Sequence, residues 1–138
     1  MPFKYKDHEA DVGIVGIGST LEEAFEEGAK AVFNIMVDIE KVEPKQEISV
    51  ECSATGIPEL FVEWLNELLS RKDLDDLMFS KFEVDVDLKK MNLKGKAYGE
   101  PLDKEKHGVK TEVKGATYSG LKYEEKEGKH YLQCVVDV

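Results

Sequence analysis

The chain has 138 residues with 41% hydrophobic and 35% charged content, enough apolar material for one packed domain over 1–138 and too little length for two. Acidic residues outnumber basic ones 29 to 19, for a net charge of −10, and the bases are lysines except for the single arginine, Arg71. That balance excludes unaided binding to a nucleic-acid backbone, which needs a basic footprint, and leaves almost no guanidinium for bidentate phosphate contacts. No apolar run approaches the roughly 18 residues of a membrane span, and Met1-Pro2-Phe3-Lys4 opens no signal-peptide core, so the expected address is the cytoplasm, with no membrane partner. Cys52 and Cys134 stand in apolar, strand-like segments without Cys-x-x-Cys spacing and are read as free buried thiols.

In chain order, residues 3–18 read as extended structure ending at Gly18-Ser19. Thr20 caps a helix, with Glu23 completing a capping box, and Leu21, Ala24, Phe25, Ala29, Val32, Phe33 and Met36 form its apolar stripe. Ile48 to Ser53 alternates as a strand. A second helix begins near Pro58 and runs to about Lys72, burying Leu60, Phe61, Trp64, Leu65, Leu68 and Leu69. Phe82, Val84, Val86 and Leu88 alternate with acids in a strand that is wet on one face. Further strands are expected at Leu93–Tyr98, Val109–Tyr118, Leu121–Glu125 and His130–Val136, with Gly128-Lys129 as the last hairpin turn. His107 is expected to be exposed in a loop. Two amphipathic helices and six or seven strands give an α+β class: a two-layer sandwich of helices on a mainly antiparallel sheet.

Three constellations offer chemistry. If Asp7-His8-Glu9-Ala10-Asp11 is extended, Asp7, Glu9 and Asp11 share one side and His8 the other; the set suits an oxygen-rich site for Mg²⁺ or Ca²⁺, or equally a solvated acidic loop. At the other end, Asp137 and the α-carboxylate of Val138 place two anions within one residue, which calls for solvent or for a cation. Lys114, in Glu112-Val113-Lys114-Gly115, reads as a solvated residue of a half-buried strand or as a point charge for phosphate or carboxylate. No P-loop, dinucleotide fingerprint, zinc-ligand spacing or nucleophile motif is present.

The run Asp7-His8-Glu9-Ala10-Asp11-Val12-Gly13-Ile14 resembles the opening signature of the archease family, and Gly18-Ser19-Thr20-Leu21-Glu22-Glu23-Ala24-Phe25-Glu26 resembles the segment that follows it. The resemblance extends through Trp64 to Leu69, Gly99-Glu100, Glu112 to Tyr118 and the closing Val135-Val136-Asp137-Val138, in family order across nearly the whole chain. Glu9 stands where the family often has threonine, and Gly115 where a slightly larger residue is common.

The resemblance implies an SHS2-type α+β fold and a protein that is not itself an enzyme. By the same resemblance it activates the tRNA-splicing RNA ligase, which joins 3′-phosphate or 2′,3′-cyclic phosphate ends to 5′-hydroxyl ends. It would promote guanylylation of that ligase from GTP and its multiple turnover, with no sequence-specific nucleic-acid binding of its own. It also implies that Asp11, Asp137 and the terminal carboxylate of Val138 hold a divalent ion, calcium or magnesium. Lys114 is then the lysine of ligase activation, and His8 a neighbour of the site. Residues appended after Val138 would remove one of those ligands. Two alternatives stand beside this reading: a chaperone-like modulator of a tRNA methyltransferase, and an independent metal-dependent phosphoesterase with His8 as its nearby base.

Overall fold

The computed structural model describes residues 2–7 and 11–138, apart from the side chains of Lys6 and Asp7. Seven strands, β1 (Phe3–Asp7), β2 (Asp11–Gly18), β3 (Gln46–Ser53), β4 (Leu77–Asp87), β5 (Asn92–Pro101), β6 (Gly115–Lys126) and β7 (Lys129–Asp137), alternate with α1 (Leu21–Met36), α2 (Ile57–Asp75) and the one-turn α3 (Lys104–His107). The expected α+β class holds. The strands divide into two antiparallel sheets, one of order β1-β2-β7-β6 and one of order β3-β5-β4. Both long helices pack against both sheets. Among the described residues, no helix is long and apolar enough to cross a membrane.

Local chemistry sets the helices. The Thr20 hydroxyl accepts from Glu23 N at 3.1 Å, and the Glu23 carboxylate accepts in return from Ser19 N at 3.3 Å, so the box closes one residue earlier than its ideal form. On one side α1 meets β2, where a Cβ at Gly16 would run into the backbone of Ala24 and Gly28; only glycine lets helix and strand approach this closely. On another side Phe33 stacks edge-on against Phe79 of β4, and the Glu26 carboxylate accepts from the Val84 N–H at 3.0 Å. Burial raises the Glu26 carboxyl above its ordinary value. The helices join through Trp64 of α2, whose indole N–H donates to Phe25 O at 3.0 Å. Arg71 of α2 donates from Nη1 to Ser49 O on β3 at 2.8 Å.

Several expectations change. The extended stretches expected within residues 3–18 are β1 and β2, and they pair antiparallel, Phe3 with Gly16 and Asp7 with Val12. Asp7 and Asp11 therefore lie on different strands and do not share one side of a single strand; His8 and Glu9 lie outside the described residues. The strand expected at 109–118 begins only at Gly115. Its first half runs irregularly because Lys110 N and Thr111 N donate to Met36 O and Ile35 O at the end of α1, and Val113 is buried in the core. Leu121–Glu125 continues the same strand β6, past a register shift between Thr117 and Lys122. The last turn centres one residue earlier than expected, on Glu127 and Gly128, both with positive φ. Cys52 is half-buried and Cys134 buried, both free, and burial pushes both thiols up to about 12.

His107 is the largest departure: it is fully buried. Its Nδ1 accepts from Asp103 N at 3.0 Å, which leaves Nε2 to donate to the Glu100 carboxylate at 2.8 Å. Glu100 also accepts from Glu43 N at 2.8 Å and pairs with Lys106 Nζ at 2.9 Å. The Glu43 N–H, with Lys106 and His107 in support, draws the Glu100 carboxyl down to about 2. This clip ties the end of β5 to α3 and fixes where the 108–114 segment departs.

Two outcomes are expected. Glu100→Gln keeps the size but loses the anion that satisfies three donors, and should cost about 1–3 kcal/mol at neutral pH in denaturant unfolding. Because the folded-state value lies below the ordinary 4.5, the contribution of Glu100 is present above that value and is lost as pH falls through about 2. The variant's stability should accordingly fall less steeply than the parent's across that acid window. Gly16→Ala should cost about 1–3 kcal/mol by forcing α1 off β2, read as a lowered thermal midpoint.

Candidate functional site

The strand register brings together residues that the sequence holds far apart. Asp11, the first residue of β2, lies directly opposite Asp137, the last of β7, and Gly115, the first of β6, lies opposite Asp137 on its other side. Directly opposed residues in an antiparallel pair share a face, with Cβ atoms about 4.5–5.5 Å apart. The neighbouring row, Val12, Val136 and Ala116, packs into the helix-covered core. Asp11 and Asp137 therefore project from the opposite face, at the end of the sheet, the first half-buried and the second exposed.

Lys114 stands at the same corner. Its backbone N–H donates to Asp137 O at 2.8 Å, so the lysine is fixed at its root while its side chain is exposed. It is not the strand residue that alternation suggests, since β6 starts one position later. Val138 turns inward against the core, carrying its carboxyl group directly after Asp137. His8, the fifth residue of the expected set, lies outside the described residues. Four of the five named positions are thus brought to one corner of the four-stranded sheet.

Electrostatics gives this corner its character. Two like charges directly across a strand pair repel, and the repulsion is relieved only by solvent or by a cation. Among the described residues, no three His, Cys, Asp or Glu side chains converge as a metal-binding set. Two side-chain carboxylates and a main-chain carboxylate would form an oxygen-only donor set, which matches hard divalent cations and no soft metal. Lys114 adds one exposed positive charge to a corner that is otherwise anionic.

One supporting residue carried no role in the sequence reading. Asn66 of α2 donates from Nδ2 to Ala116 O at 3.1 Å and accepts at Oδ1 from Ala116 N at 2.8 Å, holding β6 one residue beyond Gly115. Its only signal was an amide inside the apolar run Trp64-Leu65-Asn66. A Cβ on Gly115 would meet nothing nearer than Asn66 Oδ1 at 3.5 Å, an ordinary contact, so a small side chain fits there.

Comparison with known proteins matches residues 3–138 to the Archease protein family. The Protein archease of Sulfolobus acidocaldarius is 44% identical over 136 residues, covering 99% of this chain and 98% of that one. That of Pyrococcus furiosus is 42% identical over 139 residues with the same coverage. The solution structure of protein 1598 from Methanobacterium thermoautotrophicum superposes with a TM-score of 0.86 at 34% identity, covering 99% of each chain. A crystal structure from Thermotoga maritima, described as an archease and possible chaperone, shares the fold with a TM-score of 0.66 at 18% identity. Matched along essentially its whole length in sequence and in fold, this chain belongs to the archease family.

Proposed function

We propose that this protein is a non-catalytic activator of a GTP-dependent tRNA-splicing RNA ligase, promoting the ligase's guanylylation and multiple turnover. The observation that carries the reading is the corner itself: Asp11 opposed to Asp137, with Lys114 anchored by its own backbone to Asp137. Membership of the archease family supports it. Nucleotidyl transfer to the ligase depends mainly on positioning and on stabilising phosphate charge, and an accessory protein contributes to both by placing fixed charges beside the partner's site.

In this reading Asp11, Asp137 and the terminal carboxylate of Val138 would hold a calcium or magnesium ion. A bound divalent ion would offset their mutual repulsion and, together with Lys114, would bring the three carboxylates close to charge balance. The chain's own residues do the rest. Asp11 and Asp137 sit on rigid strand ends, so their separation is set by the sheet and not by flexible loops. Lys114 presents an ammonium group whose reach is defined because its backbone is tied down. GTP belongs to the ligase. The protein's acidity suits a basic, RNA-handling partner, with complementary fields steering the encounter.

A second reading is the chaperone-like modulation of a tRNA methyltransferase that the resemblance implies; the description of the Thermotoga maritima relative as a possible chaperone is compatible with it and names no client.

The first reading is tested by ligase guanylylation with GTP, using catalytic amounts of this protein and a ligase from the same source. Asp137→Ala is expected to abolish the acceleration and to weaken calcium binding in calorimetry by at least about 10-fold. Lys114→Ala is expected to lower the stimulated rate by about 100-fold with an unchanged circular dichroism spectrum. A folded Lys114→Ala protein that stimulates fully removes the lysine from the mechanism. An active ligase that the parent protein does not accelerate removes the ligase reading and leaves the methyltransferase.

A further inference from the structure

Four residues beyond Lys114 the chain leaves the sheet register: Thr117 pairs with Val135 and Lys122 with Gln133, so residues 118–121 bulge opposite Cys134 alone. The bulge is pinned at several points. Thr117 Oγ1 donates to Val135 O at 2.8 Å and accepts from Ser119 N at 3.3 Å, Gln133 Nε2 donates to Gly120 O at 3.1 Å, and Gly120 takes a left-handed φ of 59°. What this anchoring displays is Tyr118, a large aromatic side chain left 57% exposed. Its hydroxyl donates to Glu63 Oε1 at 3.3 Å, which lays the ring beside α2.

The helix face it reaches is anionic. Glu59, Glu63 and Glu67 follow one another at four-residue spacing, all half-buried on the stripe of α2 that passes between β6 and β3. Their field is felt on both flanks. Burial first, and then Glu63 and Glu59, raise the Tyr118 phenol, and Glu67 and Glu63 add to the burial that raises the Cys52 thiol. Among the described residues, none of the three glutamates is salt-bridged to a lysine, arginine or histidine. An immobilised exposed tyrosine beside unpaired carboxylates has the composition of a binding hot spot for cationic side chains: the ring offers its face to a guanidinium or ammonium group, and the carboxylates accept its hydrogen bonds.

We infer that Tyr118 and the Glu59–Glu63 ridge of α2 form a docking surface for a protein partner presenting arginine and lysine side chains. This rests on the ligase reading, and it separates two tasks. The Asp11–Asp137–Lys114 corner acts on the partner's chemistry, while the adjoining aromatic-acidic flank holds the partner in place. A nucleic-acid occupant is disfavoured by the same carboxylates, which repel phosphate.

The experiment measures association of fluorescently labelled full-length protein with the ligase by anisotropy, alongside guanylylation at saturating protein. Tyr118→Ala and the double variant Glu59→Gln/Glu63→Gln are each expected to weaken binding by about 10-fold, and the parent's affinity is expected to fall as salt rises. The guanylylation rate at saturation should stay at the parent's value. Tyr118→Phe, which keeps the ring and loses only the hydroxyl, should bind nearly as the parent does. Lys114→Ala should show the reverse pattern, with parental binding and lost stimulation. Parental affinity in both flank variants, in folded proteins, overturns the docking surface and leaves the ligase reading standing. Loss of saturating rate without loss of affinity overturns it too. If the parent protein neither binds nor accelerates an active ligase, both fall together.

Discussion

Everything in this molecule depends on two helices having to satisfy two sheets at once. α1 and α2 touch each other at Trp64 and Phe25, and through them the four-stranded and three-stranded sheets become one body. Such a helix has little free surface. Gly16 must stay small where β2 presses on α1, while Phe33, Phe79 and Phe82 fill the space toward β4. Close packing of this kind transmits position well, because side chains interlocked at crystal-like density do not shift independently. The end of β2 and the end of β7 are therefore held in register by a core some residues away, and the carboxylates at their tips inherit that precision.

A division of labour follows. Sheet geometry places Asp11 and Asp137, the clip of Glu100 with His107 sets the start of the irregular segment, and the hydrogen bond from Lys114 to Asp137 O sets its end. Between those fixed points the chain bonds to the last turn of α1 through Lys110 and Thr111. A loop secured at both ends and in the middle presents a lysine reproducibly without being regular structure. Function on loops positioned by a rigid scaffold is a common arrangement, and here the scaffold's fixings are individually visible.

Much of the fold was legible because its signals are local. Thr20 with Glu23, Pro58 and the alternation around Val84 announce their elements within a few residues. What was not legible depends on distant partners. The polar stretch around His107 reads as a loop, and its burial follows only once the turn of α3 sets its ring between Asp103 N and the Glu100 carboxylate at the end of β5. Val109 to Lys114 alternates like a strand, yet its donors find the end of α1 before they find a neighbouring strand. That the two extended stretches within residues 3–18 pair with each other was not legible, because strand pairing leaves no local mark in either stretch. The candidate corner was the hardest case. Asp11 and Asp137 stand near opposite ends of the chain, and no periodicity links them; resemblance to a family named them together, and the β2–β7 register then accounts for it physically.

Three side chains that reach from the helices to strand backbones among the described residues have one more effect. Glu26 occupies the Val84 N–H on β4, Asn66 occupies both backbone groups of Ala116 on β6, and Arg71 occupies Ser49 O on β3. Each of those strands is the outermost of its sheet. An outermost strand normally offers a row of vacant donors and acceptors to any passing polypeptide, which is how stacked fibrils and accidental strand exchange begin. Here the helices that build the core also plug that row at three borders. A second chain seeking to zip onto these strands therefore meets positions that are already taken.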